Sequence, residues 1–162
     1  MPKVFIAADH TGFLLKNTLV AYVRDALSYE IEDMGAQTLE PSDDYPDYIR
    51  PCVEKSLATP GSLAIVIGGS GQGEAMVANK VTGARCSLYY GQATAVGPID
   101  AQGAPALDGY DIVRLAREHN DANVLSIAAR FVTEDDAKEA VRIFLESPFT
   151  ADERHVRRIA KF

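Results

Sequence analysis

The chain has 162 residues, 47% apolar and 24% charged, the size and composition of one ordinary globular domain able to bury its own core. Its formal net charge of −7 argues against a general nucleic-acid or anionic-membrane binder, because such partners reward a basic surface; a local basic pocket for a small phosphate stays open. Cys52 and Cys86 lack metal-type spacing and sit in apolar surroundings, so both are expected as buried free thiols, and the apolar run at 4–8 is too short for a signal peptide or a membrane span, so a cytoplasmic location is expected.

Residues 4–8 are continuously apolar and read as a strand covered on both faces. Asp9, His10, Thr11 and Gly12 follow. They suit a strand-to-helix turn capped by Asp9 or Thr11, and equally a carboxylate and an imidazole placed at a catalytic edge. Leu15, Leu19, Val23 and Leu27 then recur every fourth residue, which predicts a helix. Residues 30–34 mix acidic with apolar side chains, as a partly wet edge strand does.

The run 63–67 predicts a further buried strand, and Gly68, Gly69, Ser70, Gly71, Gln72, Gly73 and Glu74 come next. Glycine at this density lets a backbone approach a ligand closely, and free N–H groups at the start of the following helix favour negative charge. No Lys-Ser/Thr pair closes the loop as in a phosphate-binding P-loop, and it neither has the spacing of the dinucleotide fingerprint nor opens the first βα unit. One reading is a tight turn with Glu74 in the first helical turn, where a carboxylate is mildly stabilising. The other makes Glu74 a base that moves a proton between two sugar carbons through an enediolate, with loop amides as oxyanion donors. Asn79 and Lys80, with Gly83 beyond, look like a helix end.

Residues 87–90 predict a strand covered on both faces. The stretch 91–109 breaks the rhythm with Gly91, Gly97, Pro98, Gly103, Pro105 and Gly109; a connection this long is functional or mobile. Arg117, Glu118, His119 and Asn120 end the next helix. There His119 suits the helix dipole, or with Asn120 could serve a ring oxygen and a hydroxyl. A strand at 124–129 runs into Arg130, and Thr133 with Asp136 resembles a capping box ahead of the stripe Ala137, Ala140, Val141, Phe144 and Leu145. The final segment, 151–162, reads as a basic helix in which Arg154 and Arg158 share a face. Either that face is simply solvated, or Arg130, Arg154 and Arg158 converge on a phosphate dianion. The alternation of strands and helices predicts a three-layer α/β/α sandwich with right-handed crossovers, and ligands beyond the carboxyl ends of its strands.

Taken in order, Asp9-His10, Asp44-Tyr45-Pro46-Asp47-Tyr48, the loop 68–74, Ala78-Asn79-Lys80, Arg117-Glu118-His119-Asn120 with Asp121-Ala122-Asn123, Arg130, and Arg154-His155 with Arg157-Arg158 resemble the type B ribose-5-phosphate isomerases of the ribose/galactose isomerase family over nearly the whole chain. The resemblance implies one Rossmann-like domain over 1–162 with five parallel strands. It implies a homodimer or a dimer of dimers with sites between subunits, and interconversion of ribose 5-phosphate and ribulose 5-phosphate without metal or cofactor. By the same resemblance Asp9 and His119 assist ring opening. Ser70 and the amides of Gly69, Gly71 and Gly73 steady the open chain and its enediolate, Asn120 binds a hydroxyl or the enediolate, and His10, Arg130, Arg154 and Arg158 hold the phosphate, some of them from the partner subunit. One branch of the family carries its base as a cysteine at the position of Gly68. This chain matches the branch with a glutamate at the position of Glu74, and neither Cys52 nor Cys86 fits the cysteine's place. The stretch 91–109 is an insertion against that pattern, expected near the sugar, which leaves hexose and tetrose phosphates open as substrates. A phosphosugar-binding protein without activity is disfavoured by the joint presence of Asp9, Ser70, Glu74 and His119, and a flavodoxin-like or nucleotide-binding module by the absent fingerprints.

Overall fold

The computed structural model describes residues 1–162. Five strands form one parallel sheet: β1 (Val4–Ala8), β2 (Ile31–Asp33), β3 (Leu63–Gly68), β4 (Cys86–Tyr89) and β5 (Val124–Ala128), in the order β2-β1-β3-β5-β4. The three central strands are the continuous apolar runs of the sequence, and every residue of β1, β3 and β5 is buried. Alternate residues serve opposite faces. Val4, Ile6, Ala8, Ile65, Ile67, Leu125 and Ile127 pack with Leu19, Val23, Val113, Ala116 and the stripe of the helix after β5. Phe5, Ala7, Ala64 and Val66 pack against Ile49, Cys52, Val53 and Ala78 on the other side. Each fully buried Ile or Leu contributes roughly 1.5–3 kcal/mol relative to exposure, so these two layers dominate the stability of the sheet.

The helices are α1 (Phe13–Ala21), α2 (Pro46–Ala58), α3 (Gln72–Ala78), α4 (Asp111–Asn120), α5 (Glu134–Glu146) and α6 (Glu153–Ile159). None is long and apolar enough to cross a membrane. Helices α1, α4 and α5 cover one face of the sheet, and α2 and α3 the other, which is the expected three-layer sandwich.

Local details depart from the periodicity. The helix read from Leu15 to Leu27 is regular only to Ala21 and continues as a π-helical turn, Tyr22–Ala26, with the Leu27 N–H bonded to the Tyr22 carbonyl at 3.2 Å. Only half of the capping box at α5 forms: Thr133 Oγ1 accepts from the Asp136 N–H at 3.1 Å, but the Asp136 carboxylate turns away. It instead accepts from the hydroxyls of Tyr89 (2.9 Å) and Tyr110 (2.8 Å) and from Gln92 (3.1 Å). The fourth strand is an edge strand, with Cys86, Ser87 and Leu88 only half-buried in the single chain, so it is not covered on both faces. Cys52 is the buried thiol, pushed up to about 12 by burial; Cys86 is half-buried.

Candidate active site

The chain leaves β1 toward one side of the sheet, to β2, and returns to the other side, to β3. That reversal opens a crevice between β1 and β3 at their carboxyl ends. The segment Asp9-His10 and the loop 68–74 line it. Asp9 is buried, and its Oδ1 accepts from Thr11 N–H (2.9 Å), Thr11 Oγ1 (2.6 Å) and Gly12 N–H (3.4 Å). The expected helix cap does not form: Gly12 stands at the N-cap of α1 without a side-chain bond, and Asp9 instead closes the turn ahead of the helix. Its Oδ2 lies 3.7 Å from His10 Nδ1.

The glycine loop is held by its neighbours. Gly68 and Gly69 carbonyls accept from Ala129 (2.8 Å) and Arg130 (3.0 Å), and buried Ser126 Oγ donates to the Gly71 carbonyl at 2.7 Å. Gly71 has φ +70°, a left-handed conformation that strains any residue with a Cβ, and it turns the chain into α3. The amides of Gly69, Ser70, Gly71 and Gly73 have no protein acceptor, and Ser70 Oγ lies 3.4 Å from the Gln72 N–H, which donates to it. The Arg130 guanidinium lies against the Gly69 backbone, its Cζ 3.2 Å from where a Cβ on residue 69 would stand.

Glu74 is 4% exposed. Its carboxylate occupies the space in front of Gly68: a Cβ on residue 68 would lie 1.9 Å from Oε1. Burial raises the Glu74 carboxyl above its ordinary range; its own backbone N–H partly offsets this, and the charge of Asp9 raises it further. A group so placed is a carboxylate of increased basicity, flanked by unused amide donors and a second carboxylate. That combination can remove a carbon-bound proton and steady the oxyanion that results.

The remaining residues singled out in the sequence lie elsewhere. His119 and Asn120 close α4, which runs antiparallel to the strands and delivers the chain to the amino end of β5. Arg85, just ahead of β4, donates to the Asn120 carbonyl at 3.0 Å. The His119 ring stacks on that of His155, with centroids 4.2 Å apart, and Arg154 Nε bonds His155 at 3.2 Å. His155 is buried and held below its usual range, first by burial, then by His119 and Arg154. Since β5 spans five residues at about 3.3 Å each, the two groups of residues are on the order of 15 Å apart within one chain. Arg130 thus stands at one edge of the sheet, while Arg154 and Arg158 on α6 stand toward the other. The three do not converge within a single chain.

The connection 91–109 runs from one of these groups of residues to the other. Its stems are pinned at the carboxyl edge by Asp136 and by the Ala93 N–H bonded to the Gly109 carbonyl at 3.0 Å. Its middle leaves that edge: Gln102 Oε1 accepts from Arg154 at 3.3 Å. The insertion reaches α6 rather than covering Glu74 of its own chain.

Three contacts around these residues lie beyond local sequence. Asp43 holds His10, Tyr45 lies against Gly73, and His155 stacks on His119. The motif around Tyr45 marked that residue's neighbourhood; the other two contacts join segments more than thirty residues apart, beyond any local pattern. Asp9, His10 and Asp43 bring three potential metal-ligating atoms within 4.8 Å. The bond between His10 and Asp43 and the donors on Asp9 already engage this cluster internally.

The family model described as Ribose/Galactose Isomerase matches residues 4–107 and 100–162, two stretches that meet inside the long connection. The chain is 37% identical over 157 residues to ribose-5-phosphate isomerase B of Mycobacterium tuberculosis (strain H37Rv), covering 97% of this chain and 85% of that protein. It is 36% identical, with the same coverage, to that of Mycobacterium leprae. Among solved structures it resembles ribose-5-phosphate isomerase B from Mycoplasma genitalium with bound ribulose-5-phosphate (TM-score 0.82, 32% identity, 98% of this chain and 92% of that one). It also resembles a ribose 5-phosphate isomerase from Thermotoga maritima (TM-score 0.80, 34% identity, 99% and 96%).

Proposed function

The chain belongs to the ribose/galactose isomerase family, and from that premise we propose that it interconverts ribose 5-phosphate and ribulose 5-phosphate, with Glu74 as the base. The observation that carries this reading is the buried Glu74 carboxylate, set in front of Gly68 and ringed by unused loop amides.

In the open-chain aldose, the Glu74 carboxylate takes the proton from C2. The electron pair left behind forms the C1–C2 double bond, and the carbonyl electrons move onto the C1 oxygen. The amides of Gly69, Gly71 and Gly73, with Ser70 Oγ, donate to the enediolate oxygens. Protonated Glu74 then returns the proton to C1, and the C2 hydroxyl passes its own proton to the C1 oxygen, leaving a C2 ketone and a C1 hydroxyl. Asp9 and His119 open the furanose ring by moving a proton between the ring oxygen and the anomeric hydroxyl. Asn120 binds a sugar hydroxyl, and His10, Arg130, Arg154 and Arg158 hold the phosphate dianion.

This set is complete only when two copies associate. Glu74 and Asp9 lie at the carboxyl edge, while His119, Asn120, Arg154 and Arg158 lie toward the amino edge. We infer that the second group serves the crevice of a second copy. An apolar face beside the glycine loop supports this: Met76 and Phe131 are 67% and 68% exposed, with Tyr90 and half-buried Leu88 between the open edge of β4 and α3.

The test is an isomerase assay with ribose 5-phosphate in the presence of chelator, run beside Glu74→Gln. Activity in the native chain and a loss of about 10³-fold or more in the variant, with substrate still bound, is the expected result. Normal turnover by Glu74→Gln would refute the base. A second reading, isomerisation of a four- or six-carbon sugar phosphate, draws on the contact between the inserted Gln102 and Arg154. It predicts that a panel of such substrates exceeds ribose 5-phosphate in kcat/KM.

A further inference from the structure

The phosphate-binding part of this reading asks one flexible imidazole, that of His10, to hold a fixed direction. His10 is 29% exposed and sits in a turn, so its own segment leaves the ring free to rotate. The restraint comes from thirty-three residues away. Asp43 Oδ1 accepts from both the His10 backbone N–H (3.1 Å) and its ring Nδ1 (2.6 Å). The Asp43 side chain is only 6% exposed. Its second oxygen is buried without a hydrogen-bond partner, and the Tyr48 hydroxyl is the other polar group beside the carboxylate.

A single oxygen that takes both the main-chain and the ring N–H of one histidine fixes position and tautomer together. With Nδ1–H engaged by Asp43, Nε2 points away from Asp43 toward a ligand, and a phosphate dianion, which only accepts, is bound when Nε2 carries a proton as well. The carboxylate lies behind the ring, hidden from the anion that the ring faces. Asp9 Oδ2, at 3.7 Å from Nδ1, flanks the same side. We propose that Asp43 is the positioning residue that orients His10 toward the substrate phosphate; this rests on the assignment of His10 to that phosphate.

The experiment is imidazole ¹H–¹⁵N NMR on the full-length protein. It is paired with steady-state kinetics and inorganic-phosphate inhibition for the native chain, Asp43→Ala, Asp43→Asn and His10→Ala. The chain has three histidines, so the His10 signals are assigned by difference. With inorganic phosphate bound, the native spectrum should show His10 protonated at both Nδ1 and Nε2. Asp43→Ala should lose the protected Nδ1–H signal, raise KM and the phosphate inhibition constant roughly tenfold, and change kcat much less. Asp43→Asn, which keeps an acceptor oxygen, should recover most of the loss. A native His10 whose Nδ1 carries no proton when phosphate is bound overturns the proposal without any variant. So does an unchanged KM in Asp43→Ala where His10→Ala weakens phosphate binding. If His10→Ala itself leaves phosphate inhibition unaltered, the assignment of His10 falls, and the proposal with it.

Discussion

At the scale of single residues, the site places a charge where folding resists it. Burial lifts the Glu74 carboxyl above the ordinary glutamate range, so the proposed base is ionised only as pH rises through that elevated value. The acid limb of kcat/KM is therefore expected above the usual carboxylate range of about 4.3, and a pH–rate profile checks it. The same shift has a consequence for stability. A carboxyl whose pKa is raised on folding contributes stability that is intact below its unfolded pKa and is lost as pH rises through its folded pKa. Glu74→Gln has no such loss. Its thermal midpoint should match the native chain in acid and equal or exceed it at neutral pH; a variant less stable at neutral pH than in acid, relative to the native chain, would contradict the burial argument. Glu74, Asp9 and the glycines around them were legible in the sequence because they cluster within a few positions of strand ends. Asp43 was not, because nothing in a lone aspartate announces a histidine thirty-three residues upstream.

At the scale of elements, legibility followed burial. Strands β1, β3 and β5 are apolar at almost every position because both faces are covered, and such runs have no other use in a chain of this composition. The fourth strand looks the same on paper, yet its first three residues are half-exposed in the single chain. Its apolar character belongs to an edge that a neighbour would cover. The long connection was visible as an interruption, but not its course, since a tip contact such as Gln102 with Arg154 depends on tertiary placement. Asp136 ties both stems of that connection to α5 through Tyr89, Tyr110 and Gln92. Asp136→Ala should cost about 1–3 kcal/mol by leaving the buried Tyr89 hydroxyl unpaired. It should also speed proteolytic cleavage within 91–109; cleavage at the native rate, followed by mass spectrometry, would show that the stems are held by other means.

At the scale of the whole molecule, the separation of Glu74 from His119 would, on the proposed function, make each reaction centre a joint product of two chains. Glu74→Gln and His119→Ala should each be severely impaired alone. Mixed and allowed to exchange subunits, they should recover roughly a quarter of native activity, because half of randomly formed two-fold dimers are mixed and each has one intact site of two. Absence of recovery, with subunit exchange verified, would place the two residues in the service of one chain.

The contact between Glu74 and Gly68 bears on ancestry as well as on chemistry. A side chain on residue 68 and the carboxylate of residue 74 claim the same volume, so a catalytic group carried at 68 and the proposed base at 74 would be rivals for one seat. The Glu74 carboxylate is the far end of a flexible side chain, so a newcomer at 68 displaces it rather than breaking the loop. Descendants with a catalytic group at both positions should therefore be scarce.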